Sequence, residues 1–95
     1  MPIPSPDQCP TLSGFSADYW QSLKPLHAGQ GAPWGAVHQG LALLVLARPE
    51  QHNRLDPADV DAMRAFWDSL HEASVLVITA MGATTFSSGY TIEAI

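Results

Sequence analysis

Two short apolar runs, separated by one helical pattern, constrain the fold of this chain more than any other feature. The first run is Leu41–Ala47, LALLVLA, and the second is Val75–Thr79, VLVIT. Both are continuously apolar, as in strands buried on both faces of a parallel sheet, rather than alternating as in half-exposed strands. Between them, apolar residues recur at helical spacing over Pro57–Glu72. This order predicts an α/β fold with a right-handed crossover between the two strands.

The helical segment has a well-defined start. Asp56 is a typical N-cap residue, Pro57 occupies the first helical position, and Asp59 lies in the first turn, where a carboxylate is favoured by the helix dipole. An apolar stripe follows, formed by Val60, Met63, Phe66, Trp67 and Leu70. The stripe predicts that the helix packs on the sheet and that these side chains belong to the core.

The first third of the chain has a different composition. Four prolines among the first ten residues predict an extended, solvated lead, and His27–Pro33, HAGQGAP, has the composition of a flexible linker. We therefore predict an N-terminal extension, residues 1–33, followed by a domain, residues 34–95. The domain would begin with a strand, Trp34–His38, and a turn at Gln39-Gly40.

Within the extension, Ser16 can cap a short helix over Ala17–Leu23. This helix would place Tyr19 and Trp20 on one side. Two interpretations stay open at this point: the two aromatic side chains dock on the domain, or they bind a partner.

Charge and composition argue against several classes of function. The net charge is −5 with only four Lys and Arg residues, whereas nucleic acid and anionic membranes require concentrated positive charge. Cys9 is the single cysteine, so we expect neither an intrachain disulfide nor a cysteine metal site. No stretch approaches the ~18 apolar residues of a membrane helix, and the N-terminus lacks the regions of a signal peptide. We expect a small globular protein of the cytoplasm with no bound metal.

The segment after the second apolar run has the composition of a ligand-binding turn. Met81–Thr85 is predicted to be loop, Phe86 can anchor it, and Ser87-Ser88-Gly89 would form a tight turn of small residues before a helix start. At such strand–turn–helix junctions, α/β proteins present backbone N–H groups to anionic ligands. If the protein carries out chemistry, we expect it here.

Two segments carry a more specific pattern. In LALLVLARPEQHNRLDPADVDAMRAF, an apolar strand is followed by Arg-Pro-Glu, by Asn53 and by the capped helix. In VLVITAMGATTFSSGYTIEAI, a strand is followed by a Gly-containing loop and a Phe-Ser-small-Gly turn. Together they resemble the crotonase family, the enoyl-CoA hydratases and isomerases, over about residues 34–95. The resemblance implies the N-terminal part of that family's ββα spiral: strand, strand, helix, strand and the start of a helix.

The resemblance also implies binding of acyl-CoA thioesters, with CoA as part of the substrate and no further cofactor. Family members polarise the thioester carbonyl with two backbone N–H groups, and the first of these corresponds here to Ser88. A preorganised donor of this kind stabilises a developing oxyanion by roughly 3–4 kcal/mol.

Positions that contact CoA in the family lie in the loop after the first strand and in the turn after the second. They correspond here to His52, Arg54, Leu55, Ser87, Gly89 and Tyr90. Arg54 is physically the best phosphate ligand, because its guanidinium is permanently charged and forked. Arg48 and Glu50 are interpreted as residues that fix the loop.

The chain departs from the family pattern in two ways. Tyr90 and Thr91 stand where the family has Ala and Asp, and Glu93 is not at the family's catalytic position. The second oxyanion donor and the acid–base carboxylates, which contribute about 10²–10⁴-fold, belong to later segments of the family. We therefore expect a lyase or isomerase as the parent protein, with these 95 residues inactive alone and without the family's trimeric or hexameric assembly.

The same architecture predicts an unpaired outer edge on the second strand. Because an apolar edge strand is a template for aggregation, we predict a poorly soluble or partly folded chain unless more chain or a partner covers it.

Two other functions stay open from the sequence. A regulatory module of the anti-sigma-factor antagonist (STAS) type also has a strand, a helix, a strand and a Ser-Gly turn, with Ser87 or Ser88 as the phosphorylated residue. That family prefers Asp where Phe86 stands. The other alternative is a truncated, non-catalytic interaction fragment. Retention of the protein on immobilised CoA would favour the acyl-CoA hypothesis. Kinase-dependent phosphorylation of Ser87 or Ser88 would favour the STAS alternative.

Overall fold

The computed structural model describes residues 4–71, 73, 75–82 and 86–89, so Tyr90, Thr91 and Glu93 lie outside the described residues. Within these residues there are two short 3-10 helices, two α-helices and four strands. In chain order the elements are a 3-10 helix Pro10–Gly14, α1 Ala17–Trp20, β1 Lys24–Pro25, β2 Trp34–His38, β3 Leu41–Leu46, a 3-10 helix Pro49–Gln51, α2 Pro57–Asp68 and β4 Val75–Ala80. No helix in this described part is long and apolar enough to cross a membrane.

The four strands form one mixed sheet in the order β1-β2-β3-β4. The β2–β3 pair is an antiparallel hairpin closed by Gln39 and Gly40, both of which have positive φ. The β3–β4 pair is parallel, with Leu41 opposite Val75 and Leu46 opposite Ala80, and α2 lies between these strands in the sequence. The predicted α/β order of strand, strand, helix and strand is therefore confirmed, whereas a repeating ββα spiral stays a prediction.

The N-terminal segment covers one face of the sheet. Cys9, Leu12 and Leu23 are buried in one cluster with the β3 side chains Leu43 and Val45. Tyr19 and Trp20 pack against the same cluster. This confirms the first of the two interpretations, in which these side chains dock on the domain. The expectation of a solvated lead was wrong, because its few apolar side chains fill the space over β3.

The predicted flexible linker His27–Pro33 is also corrected. Gly31, Ala32 and Pro33 are buried, and the Leu26 backbone N–H donates to the Pro33 carbonyl at 2.8 Å. Small residues allow the backbone itself to approach the domain closely, so a composition typical of linkers is compatible with a buried segment. The division at residue 33 stays a prediction, although residues on both sides of it share one core.

Helix α2 lies over the opposite face, but it is shorter and more exposed than predicted. It ends at Asp68 rather than Glu72. The Phe66 ring lies over Gly35, where an added Cβ would be 2.8 Å from its Cε1 atom. Of the apolar stripe, Val60 and Trp67 are exposed and the other members are half-buried. The prediction that the whole stripe is core was wrong, because the helix covers the sheet with part of that stripe.

Strand β4 is likewise more exposed than its apolar sequence predicts. Val75 is 53% exposed and Ile78 is 44% exposed. Within β4, only Thr79 is buried. Among the described strands, β4 is the last of the sheet, so its outer edge has no neighbour there. An edge strand has a neighbouring strand on one side only, so its side chains are less covered than those of a central strand, and this explains why the expectation of a doubly buried strand failed.

The hairpin turn gives a first prediction. Gln39 has φ of 50°, a left-handed conformation that a non-glycine residue adopts at a cost and that Asn tolerates better. Gln39→Asn is therefore expected to raise the free energy of unfolding by about 0.5–1 kcal/mol. Urea denaturation followed by tryptophan fluorescence measures this change. Gln21→Asn is the control, because Gln21 has an ordinary right-handed conformation, and equal effects at both positions would contradict the prediction.

Candidate functional site

Two segments meet where the parallel strands β3 and β4 end. We call residues 48–56 the Asn53 loop and residues 86–89 the Ser88 turn. The Ser88 backbone N–H donates to the His52 carbonyl at 2.8 Å, and the Leu55 N–H donates to the Gly89 carbonyl at 3.0 Å. The structure therefore brings together the two segments that carry the family resemblance, although they are more than 30 residues apart in the sequence.

The Ser87 hydroxyl reinforces this junction. Its Oγ donates to the Asn53 carbonyl at 2.9 Å and accepts the Gly89 N–H at 3.0 Å. Ser87 thus shapes the turn and attaches it to the loop. Of the predicted ligand residues in the turn, Ser87 and Gly89 have these structural contacts, and Tyr90 lies outside the described residues.

Asn53 fixes the base of the site. It is buried with φ of 53°, and its Oδ1 accepts the Arg48 backbone N–H at 2.9 Å. Its Nδ2 donates to the Met81 carbonyl at 2.9 Å, directly after β4. One side chain therefore ties the ends of both parallel strands together. The sequence drew attention to Asn53 through the family pattern, but gave no indication of this role.

Arginine and aspartate side chains alternate in contact across the Asn53 loop and the start of α2, and the row ends at a histidine of the N-terminal segment. Arg54 Nε lies 3.0 Å from Asp56 Oδ1, and Arg48 Nη1 lies 3.3 Å from Asp56 Oδ2. Arg48 also contacts Asp59 with an Nη2–Oδ2 distance of 2.9 Å, and His27 Nε2 lies 2.7 Å from Asp59 Oδ1. We call these five residues the charge row. It confirms that Arg48 helps to fix the loop.

Asp59 is the centre of the charge row and was assigned only a helix-dipole role from the sequence. It is 1% exposed, and its Oδ2 also accepts the Asp56 backbone N–H at 2.9 Å. His27 Nδ1 accepts the Gly29 N–H at 2.9 Å, so the proton of a neutral His27 lies on Nε2 and is donated to Asp59. The N-terminal segment is thus held to α2 by a buried carboxylate.

The predicted ligand side chains differ in how far they reach solvent. His52 and Ser88 are exposed, and the Arg54 side chain is 39% exposed. Leu55, also in the Asn53 loop, is half-buried. The side chains suited to contact an anion therefore lie at the surface of the junction, with the structural residues beneath them.

The Ser88 N–H does not point to solvent in this structure. Because it donates to the His52 carbonyl, an oxyanion would have to replace that carbonyl as its acceptor. The expectation of an open donor is corrected on this point, and the oxyanion role itself stays a prediction.

Larger concavities lie elsewhere. A groove of about 200 Å³ lies between the end of α2 and the beginning of β4, lined by Trp67, Leu70, Ala73, Val75 and Leu76. A cavity of about 10 Å³ lies between the Asn53 loop, the end of β3 and the buried residues Gly31 and Pro33. The described residues contain no group of three or more His, Cys, Asp or Glu placed to hold a metal ion. The groove is at the opposite end of β4 from the Ser88 turn, so it does not form part of the candidate site.

The chain was compared with protein families, with curated proteins and with solved structures, and a solved structure supports the predicted fold. No protein-family model and no curated protein matches the chain. The crystal structure of an enoyl-CoA hydratase from Shewanella pealeana matches it with a TM-score of 0.54 and 22% identity, covering 65% of this chain and 24% of that chain. This chain therefore corresponds to less than two thirds of the hydratase. The STAS alternative is not favoured, and the described fold is crotonase-like, similar to one part of an enoyl-CoA hydratase.

Proposed function

We propose that this chain forms the CoA-binding part of a domain of the enoyl-CoA hydratase/isomerase type. The observation that carries the proposal is the junction of the Asn53 loop and the Ser88 turn at the carboxyl ends of β3 and β4. In open α/β sheets, ligands bind outside the carboxyl ends of the parallel strands. The crotonase-like fold supports the same position.

In this proposal, exposed and buried residues of the junction have separate tasks. Arg54 binds a phosphate of CoA through its guanidinium, and His52 lies beside it at the surface. Ser87, Leu55 and Gly89 keep the two segments in register through their hydrogen bonds. Tyr90 is included as a ligand residue on the family resemblance alone. The ligand is an acyl-CoA thioester, and the cytoplasmic location stays a prediction.

The catalytic part of the proposal concerns one group, the backbone N–H of Ser88. Ser88 supplies an oxyanion donor once a thioester oxygen replaces the His52 carbonyl at its N–H. Backbone amide NMR tests this exchange, since the Ser88 resonance would shift with acetyl-CoA and remain in place with CoA, which lacks the thioester. We expect binding but no turnover from these 95 residues alone, because the resemblance assigns the acid–base carboxylates to later segments of the family.

Replacement of Arg54 tests the binding proposal. Arg54→Gln removes the charged fork, and we expect the affinity for CoA at low salt to fall about tenfold, the scale of a charge-assisted hydrogen bond. Isothermal titration calorimetry measures the dissociation constant. Arg64→Gln is the matched control, because Arg64 is exposed on α2 and its loss changes the net charge equally.

Circular dichroism of each variant establishes that the fold is retained. A wild-type chain that binds neither CoA nor acetyl-CoA at low salt would refute the proposed function. Equal losses in the two arginine variants would remove Arg54 from the site and point to a general charge effect.

A further inference from the structure

Asp56 lies where it competes with a bound phosphate. Its two carboxylate oxygens face two guanidinium groups, with Oδ1 3.0 Å from Arg54 Nε and Oδ2 3.3 Å from Arg48 Nη1. We propose that Asp56 is an autoinhibitory residue that occupies Arg54 in the ligand-free protein and sets the affinity of the site for phosphate. This inference rests on the proposed function, in which Arg54 binds CoA.

The exposure of the pair makes an exchange of partners inexpensive. The Arg54 and Asp56 side chains are 39% and 29% exposed, so water screens their attraction. Ion pairs of this kind contribute little to stability. A phosphate carries more charge and more acceptor oxygens than a carboxylate, and it can therefore replace Asp56 at the Arg54 fork.

The second arginine is held independently of this exchange. Arg48 keeps the buried carboxylate of Asp59 at 2.9 Å, whether or not Asp56 contacts it. Release of Asp56 therefore leaves the buried part of the charge row in place and frees the Nε of Arg54, so that the Nε side of its fork can also bind phosphate. When phosphate is bound, the Asp56 carboxylate remains nearby as a like charge and weakens the complex.

The position of Asp56 in the helix allows its charge to be removed alone. Asp56 is the N-cap of α2, and its backbone carbonyl accepts the Asp59 and Val60 N–H groups at 3.0 and 3.1 Å. Asn is about as good an N-cap residue as Asp. Asp56→Asn therefore keeps the helix start and removes the negative charge beside Arg54.

The test compares wild type with Asp56→Asn and with Asp61→Asn, a control that removes an exposed charge from the same helix. Calorimetry at low salt gives the affinity for CoA, dephospho-CoA and pantetheine, which has no phosphate. We expect Asp56→Asn to bind CoA about three- to tenfold more tightly than wild type. Asp61→Asn should stay within about twofold, and pantetheine should bind equally to all three proteins.

Each outcome decides the inference. If Asp56→Asn binds both CoA and dephospho-CoA more tightly than wild type does, Arg54 contacts the diphosphate. If only the affinity for CoA rises, Arg54 contacts the 3′-phosphate. Both results support the inference. If wild type binds CoA but Asp56→Asn does not exceed Asp61→Asn, or if pantetheine gains equally, the inference alone is overturned. If no variant binds CoA, the proposed function falls as well. Should Asp56→Asn fail to fold, Asp56→Ser repeats the test with another neutral N-cap residue.

Discussion

Asp59→Ala is expected to lower the free energy of unfolding by about 3–5 kcal/mol, the cost of removing one partner from a buried ion pair. Asp59 is 1% exposed and is held by His27, by Arg48 and by the Asp56 backbone N–H. Its removal leaves the Arg48 guanidinium without its buried carboxylate and His27 Nε2 without its acceptor. It also removes the contact between the N-terminal segment and α2 that these groups make.

Urea denaturation, followed by circular dichroism and tryptophan fluorescence, measures the loss, and a cooperative transition of the monomeric wild type would also contradict the expectation of a partly folded chain. Asp61→Ala is the control on the same helix, and because Asp61 is exposed, we expect a change within about 0.5 kcal/mol. Asp59→Asn keeps the shape and one acceptor oxygen, so its loss should be intermediate. A loss below about 1 kcal/mol for Asp59→Ala would show that the charge row contributes little to stability.

Asn53→Ala is expected to have the second-largest effect, a loss of about 3 kcal/mol. Two buried hydrogen bonds disappear, those to the Arg48 N–H and to the Met81 carbonyl, and each buried group left without a partner costs about 1–3 kcal/mol. Alanine also has to adopt φ of 53°, which costs about 1 kcal/mol more than for Asn.

Asn53→Gly separates these two causes. Glycine adopts positive φ readily but makes neither side-chain hydrogen bond, so its loss in stability should be smaller than that of alanine by the cost of backbone strain. Equal losses in the two variants would show that the conformation contributes little. A loss below about 1 kcal/mol in both would contradict the role of Asn53 as the tie between β3 and β4.

Asn53 and Asp59 are both linked to Arg48, one through its backbone and the other through its guanidinium. Residues with a shared partner rarely contribute additively. Replacement of Asn53 is nevertheless predicted to lower the affinity for CoA more than replacement of Asp59 does. Asn53 also fixes the loop backbone that carries His52 and Arg54 at the candidate site.

Local patterns explain what could be predicted. The hairpin, the start of α2 at Pro57 and the two strands predicted at Leu41–Ala47 and Val75–Thr79 follow from turn residues, capping and apolar runs, all of which act between neighbours in the chain. The family pattern also placed the two segments that form the candidate site. It did so by resemblance, which gives positions and not contacts.

Contacts between distant residues explain what could not be predicted. No local signal pairs His27 with Asp59, or directs Ser88 N–H to the His52 carbonyl, because each pair is more than 30 residues apart and meets only after the sheet has formed. The burial of the N-terminal segment could not be predicted from local patterns either. Its prolines and glycines are typical of an exposed N-terminal extension, but they also fit a buried segment.

The sequence by itself determined the order of strands and helix, because periodicity, capping and turn chemistry are properties of adjacent residues, and the family resemblance indicated the two segments of the candidate site. The tertiary structure alone decided that the N-terminal segment covers the sheet, that β4 remains half-exposed, and that Asp56 and Asp59 hold the arginines of the Asn53 loop. Those outcomes depend on which faces meet and which charges lose water, and packing sets both.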